Sequence, residues 1–201
     1  MNTLVISAFP CCGKSYAFEH YQNTYEILDS DSSNFSWMER VRTEEELEQL
    51  GKDFDSIGPH MLPTDAYINQ IRNELIKVRN PEFPNNYIQH IKEAIEKDVD
   101  IIFVSSHLSV RQALYDANIP YITVYPEQRC LDEWIGRMYR RGSDKAFIDF
   151  QIKHWDEFTN NIDNEPHGLF VYRLDHNQYL TPYVINNLIK CQEIKLKEME
   201  D

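Results

Sequence analysis

The segment Ala8-Phe9-Pro10-Cys11-Cys12-Gly13-Lys14-Ser15 constrains this chain more than any other, because it follows the apolar run Leu4-Val5-Ile6-Ser7 and precedes a helical pattern. A strand that feeds a tight loop into a helix N-terminus aims several backbone N–H groups, and the positive end of the helix dipole, at one point where an anion can sit. The spacing is that of a phosphate-binding loop in which Ala8 takes the place of the usual opening glycine. In such a loop Lys14 reaches the outer phosphates of a nucleotide and the Ser15 hydroxyl ligates Mg²⁺. Pro10, Cys11, Cys12, Gly13, Lys14, Ser15 and Tyr16 are the candidate residues for holding those phosphates.

Beyond this unit the chain alternates strand and helix patterns. Strands are expected at residues 3–9, 25–29, 98–106, 121–125 and 169–174, and helices at 14–20, 64–78, 86–97, 110–118, 131–139, 145–162 and 181–197. Within residues 37–50, Thr43 reads as the N-cap of a further, acidic helix, and residues 53–63, with Gly58-Pro59 and Pro63, read as loop. The run Ile101-Ile102-Phe103-Val104 is continuous rather than alternating, as in a central parallel strand covered on both faces. The pattern implies an α/β fold built on a parallel sheet of about five strands with right-handed crossovers. Ligands in such sheets bind at the carboxyl ends of the strands.

Length and charge narrow the partners. A chain of 201 residues suffices for one α/β domain, so a single domain over 1–201 is expected. A net charge of −13 disfavours extensive contact with a nucleic-acid backbone, whose affinity comes largely from Lys and Arg neutralising phosphates. A small nucleotide remains easy to accommodate. No apolar run approaches the length of a membrane span. The opening residues lack the sections of a signal peptide, so a cytoplasmic location is expected, in the host if the chain is phage-encoded. The four cysteines show no paired metal-ligand spacing, and neither a disulfide framework nor a zinc site is expected. A homodimer is compatible with this composition.

Several residues sit where chemistry would be carried. Asp29 and Asp31 end the second expected strand on the crevice side, where a carboxylate can orient an acceptor hydroxyl, take its proton or hold a magnesium shell; a simple turn with a helix cap is the structural alternative. Ser105, Ser106 and His107 end the central strand, with Ser105 in reach of a metal-bound water and His107 of an acceptor, unless they only cap the next helix. Arg111, one turn further on, is a candidate ligand for an acceptor phosphate. Arg137, Arg140 and Arg141 crowd three guanidinium groups into five positions of a chain with only 20 basic residues. Arg137 and Arg141 lie one helical turn apart, so both can face the same phosphates while Arg140 points elsewhere.

Taken together these segments resemble the P-loop kinases of small molecules, the nucleoside- and nucleotide-monophosphate kinase group, over nearly the whole chain. Runs such as Leu28-Asp29-Ser30-Asp31-Ser32-Ser33, Asn80-Pro81-Glu82-Phe83-Pro84 and Tyr139-Arg140-Arg141-Gly142 also resemble kinase-like proteins of bacteriophage genomes. The resemblance implies a three-layer fold with a helical acceptor-binding insertion at about residues 35–97 and an arginine-bearing lid at about 129–150. It implies ATP and Mg²⁺ as cofactors, with Lys14, Asp31, Asp29, Arg137 and Arg141 carrying transfer, and Arg137 and Arg140 also contacting the nucleotide. Ser15 and Ser105 would serve the metal, and Asp29, Asp31, Arg111 and His107 the acceptor. A Walker B aspartate is missing at the end of the central strand, which weakens an ATPase-motor reading more than a kinase reading. The implied reaction is transfer of a γ-phosphate to a small acceptor, foremost a (deoxy)nucleoside monophosphate. A kinase of a DNA or RNA hydroxyl, and a nucleotide-binding regulator without turnover, are the alternatives. The aromatics Phe35, Trp37, Tyr67, Phe83 and Tyr87 fall where a base would be covered, although most aromatics are core.

Overall fold

A computed structural model describes residues 3–57 and 64–200. The chain divides into two compact units, one of Met1–Ser32 with Pro84–Asp201 and one of Ser33–Phe83.

The larger unit is built on five parallel strands, β1 (Leu4–Ala8), β2 (Ile27–Asp29), β5 (Ile101–Ser105), β6 (Ile122–Pro126) and β7 (Val171–Leu174), in the order β2-β5-β1-β6-β7. The first strand is therefore the middle one, with β5 on one side and β6 on the other. Every residue of β1 and β6 is buried, and so are four of the five in β5, as a strand covered on both faces requires. The helices that cover the sheet include α1 (Lys14–Tyr21), α5 (Asn85–Glu96), α6 (Leu108–Asp116), α7 (Leu131–Arg141), α8 (Lys145–Lys153), α9 (Trp155–Asn160) and α10 (Pro182–Glu200). The α/β architecture with a five-stranded parallel sheet is thus as the alternation of patterns implies. Because chain order reverses direction on either side of β1, the crevice beyond its carboxyl end is the topological switch point where such sheets bind ligands.

The smaller unit contains α2 (Ser33–Ser36), β3 (Trp37–Arg40), α3 (Glu44–Ile57), α4 (Asp65–Asn73) and β4 (Ile76–Arg79). Thr43 does start α3, in a reciprocal capping box: its hydroxyl accepts from Glu46 N–H at 3.3 Å, and the Glu46 carboxylate accepts from Thr43 N–H at 2.8 Å.

Three local expectations are corrected. The helix expected over residues 64–78 stops at Asn73, and Ile76–Arg79 instead pairs antiparallel with Trp37–Arg40. Alternation of Ile76 and Val78 with Lys77 and Arg79 satisfies a strand once a partner is present. The helix expected over 145–162 is broken at His154, whose φ of −106° and ψ of 11° leave the helical region. The loop expected over 53–63 begins later, since α3 continues to Ile57; the rest of that stretch, residues 58–63, lies outside the described residues. Among the described residues, no helix is long and apolar enough to cross a membrane.

Candidate functional site

The turn between β1 and α1 is held from behind by its carbonyl groups. Lys14 Nζ donates to Ala8 O at 2.7 Å, Trp134 Nε1 to Pro10 O at 3.0 Å, Arg137 to Cys11 O at 3.3 Å, and Leu180 N–H to Cys12 O at 2.9 Å. Phe9 N–H in turn donates to Val124 O at 2.9 Å, which ties the turn to β6. Of the turn's amides, those of Phe9 and Cys12 are spent within the scaffold, the latter on Phe9 O at 3.4 Å. The helical ladder opens with Ala17 N–H donating to Gly13 O, so the amides of Lys14, Ser15 and Tyr16 precede the first intrahelical bond, and no side chain caps α1. That is the electrostatic form of an anion cradle.

Two residues adopt left-handed backbone to make this shape, Cys11 at φ 64° and Gly13 at φ 100°. Gly13 is required by its φ, which L side chains rarely adopt; the Tyr179 side chain packs over it at the distance of an ordinary contact.

Beside this turn lies a cleft of about 910 Å³, bounded by residues from five parts of the larger unit. Of the residues singled out from the sequence, Pro10, Cys11, Gly13, Lys14, Ser15, Tyr16, Asp29, Asp31, Ser105, Arg137, Arg140 and Arg141 line it. Ser15 Oγ donates to Asp29 Oδ2 at 3.3 Å, so a hydroxyl and a carboxylate converge beside the cradle. Asp29 is half-buried and Asp31 exposed. The turn that carries them is fixed by Tyr87, whose buried hydroxyl donates to Ser30 O at 2.7 Å. Tyr87, one of the candidate aromatics for a base, is thus a buried brace whose phenol is pushed up to about 12 by burial. Lys14 has its ammonium pushed below the ordinary lysine value, chiefly by burial, with nearby Arg141 adding to the effect and Asp29 opposing it. An anion in the cleft would relieve that cost.

Cys12, Arg111 and His107 do not line the cleft. The Cys12 side chain is buried against β6, with Sγ 3.8 Å from Val124 O, and burial pushes its thiol up to about 12, which makes it inert filler. Arg111 is buried with its donors committed to Ser106 O at 3.2 Å, Pro166 O at 2.6 Å and Glu165 Oε2 at 2.5 Å. Its guanidinium joins the end of β5 to the segment before β7. His107 occupies the N-cap position of α6 with its side chain exposed.

The three arginines of α7 divide into two kinds. Arg137 is buried, packed between the rings of Trp134 and Tyr179 at 3.8 and 3.7 Å, and bonded to Glu133 Oε1, Cys11 O and Gln178 O. It is a brace between α7, the cradle and the turn after β7, with one edge on the cleft. Arg140 and Arg141 are exposed at the end of α7, which Gly142 terminates in left-handed backbone at φ 79°. Both line the cleft, so Arg140 shares the face that spacing had reserved for Arg137 and Arg141.

The sequence reading missed Tyr179, Ser143, Asp144 and Phe147, which also line the cleft. Asp144 caps α8 by accepting from Phe147 N–H at 2.7 Å, a capping position that the sequence does signal. Tyr179 carried no signal at all, because only the path of the chain after β7 brings it to Gly13.

No family model matches the chain, and no curated protein matches it. Among solved structures, a gluconokinase from Sinorhizobium meliloti 1021 is similar over 98% of this chain and 93% of its own, at 12% identity and a TM-score of 0.43.

Proposed function

We propose that this protein is an ATP-dependent phosphotransferase that moves a γ-phosphate to a small acceptor, most simply a nucleoside monophosphate. The observation that carries the reading is the uncapped first turn of α1 beside a cleft that Gly13, Lys14, Ser15, Tyr16, Asp29, Arg140 and Arg141 line together. Phosphoryl transfer asks a protein mainly to position two reactants and to spread charge from the transferring group. A cleft of about 910 Å³ lies at the upper end of the range that small-molecule sites occupy, about 300–1,000 Å³, which suits a donor and an acceptor together.

In this reading the amides of residues 13–16 bind the β- and γ-phosphates, and the Lys14 ammonium leaves Ala8 O to join them. The oxygen donors of Ser15 and Asp29, converging within 3.3 Å, suit a hard cation and would hold Mg²⁺, with Ser105 within reach of its water shell. Bound there, Mg²⁺ would neutralise charge on the bridging phosphate oxygens. Asp31, exposed and one residue beyond the Ser30 brace, is placed to orient the acceptor or take a proton from it. Arg140 and Arg141 offer forked donors to phosphate oxygens, and an acceptor that is itself an anion favours arginine over a carboxylate. Arg137 acts through the scaffold by fixing the cradle. The nucleotide-rich cytoplasm is the compartment that fits such a reaction.

The test is transfer of label from γ-labelled ATP to a panel of nucleosides, nucleoside monophosphates and single- and double-stranded oligonucleotides. Label in a monophosphate is expected, lost in Lys14→Ala. Label in an oligonucleotide alone replaces the acceptor. If Lys14→Ala abolishes nucleotide binding yet leaves the biological activity intact, the protein is no kinase.

A further inference from the structure

Outside the cleft, the fold brings together three side chains of a kind that binds metal ions. The thiol of Cys130, a carboxylate oxygen of Asp175 and a ring nitrogen of His176 all lie within 4.8 Å of one another. Cys130 is buried just before α7, while half-buried Asp175 and exposed His176 follow β7. Cys130 Sγ stands 3.8 Å from Asp175 Oδ1.

We propose that Cys130, Asp175 and His176 bind one divalent cation of the zinc class, with Glu133 as the outer carboxylate that orients the histidine. Bonds of about 2.0–2.3 Å in a tetrahedral shell set donor atoms roughly 3.3–3.8 Å apart, so the trio must contract by about 1 Å at its widest. The turn that carries Asp175 and His176 would supply that movement as a unit, keeping the bond between His176 and Glu133. The donor set selects the ion: sulfur and imidazole suit zinc, whereas magnesium and calcium take all-oxygen shells. This separates the site from the Ser15–Asp29 oxygen pair.

The surroundings are those of a metal-binding histidine. Glu133 Oε2 lies 2.9 Å from His176 Nδ1, and when Nδ1–H donates to it, the Nε2 lone pair is presented to a metal. Arg129 lies against the Asp175 carboxylate, with Nε 3.2 Å from Oδ1 and an amino group on Oδ2. Oδ1 also accepts from His176 N–H at 2.8 Å, so a cation there would displace Arg129 Nε from Oδ1 while Arg129 stays on Oδ2. The thiol carries a proton in the apo protein, so binding breaks the S–H bond, forms a sulfur–metal bond and releases one proton to solvent. Water completes the fourth position.

Such an ion would clip the root of α7 to the turn after β7. Glu133 also accepts from Asn177 N–H at 3.1 Å and from Arg137, which in turn holds Cys11 O of the cradle. The site is independent of the nucleotide reading, since none of its three ligands lines the cleft.

The probe is Co²⁺ titrated into the metal-free full chain, read by absorbance. One equivalent should produce a thiolate-to-cobalt charge-transfer band with tetrahedral d–d bands, released one-for-one by Zn²⁺. Cys130→Ser should abolish the charge-transfer band, and Cys191→Ser should leave it unchanged. Because Cys130 is buried and its replacement can impair folding, His176→Ala on the surface provides the second arm, with cobalt affinity falling at least about 10-fold. Absence of a sulfur–cobalt band at one equivalent overturns the proposal. So does a band that survives both substitutions, or one that vanishes only when Cys11 is replaced. Weak binding of several ions without saturation means adventitious surface binding only, and overturns it equally.

Discussion

The sheet unit and the Ser33–Phe83 unit are stabilised in opposite ways. In the first, β1 and β6 are buried along their whole length, and Trp134, Trp155, Tyr87 and Tyr121 are among the largest side chains fully withdrawn from water. In the second, Ser36 is the only buried residue among the described ones, and the two strands keep half or more of their side chains exposed. What that unit has instead is polar: Arg40 paired with Glu46, Arg42 with Glu74, Arg72 with Glu44, and the Thr43–Glu46 capping box. Exposed ion pairs contribute about 0–1 kcal/mol each, against about 1.5–3 kcal/mol for each large apolar side chain buried. The difference teaches where rigidity is placed. The turn from β1 into α1 sits on the deeply packed sheet, while the smaller unit is thinly stabilised and has the features of a region that opens locally.

That contrast can be broken by experiment. The largest effect is expected at Arg137, where replacement by alanine leaves Glu133 without its buried partner and frees Cys11 O and Gln178 O; a loss of about 3–5 kcal/mol in urea unfolding is expected. Lysine should not restore it, since it cannot reproduce the fork or fill the space between the two rings. Next, Ile6→Ala in the middle of β1 should cost about 2–5 kcal/mol by the same measurement. Alkali should act on the sheet unit through Cys12. Its thiol is raised from 9.0 to about 12 in the fold, so between those values the unfolded chain binds fewer protons than the folded one. The stability that it contributes is complete below pH 9 and is lost as the pH climbs toward 12, with a slope of about 1.4 kcal/mol per pH unit for one group. Urea midpoints measured from pH 8 upward check this, and a flat profile would contradict it. The smallest effect is expected in the other unit, where Arg42→Ala should change global stability by less than about 1 kcal/mol. Hydrogen exchange should nevertheless show amides of β3 and β4 protected less than those of β1 and β5, and equal protection would erase the contrast.

Most of the sheet unit was legible because its signals are local. A strand, a loop of fixed spacing and a helix lie within residues 4–21, and the continuous apolar run Ile101-Ile102-Phe103-Val104 admits few readings other than a covered strand. The β3–β4 pair was not legible, for Ile71, Leu75 and Ile76 fit a helical spacing, and the partner that draws Ile76–Arg79 into a strand is some forty residues away along the chain. The same limit applies to side chains. Spacing shows that Arg137 and Arg141 share a helix face, but only the arrival of Gln178 and Tyr179 decides that Arg137 is buried and Arg141 exposed. Arg111 read as a ligand for an acceptor phosphate because nothing nearby announces Glu165 and Pro166 as its partners. Cys130 and His176 lie far apart in sequence and show no motif spacing, so their meeting is a property of the sheet order alone.

The claim beneath the functional reading is that the turn from β1 into α1 grips the phosphates of a magnesium-bound nucleotide. Calorimetric titration of Mg·ATP into the wild-type chain and into Lys14→Ala tests it most directly. One saturable site in the wild type is predicted, weakened on the order of 10²–10³-fold in the variant, whose far-UV spectrum should be unchanged. Heat that is absent from the wild type, or that is the same in both proteins, would contradict it.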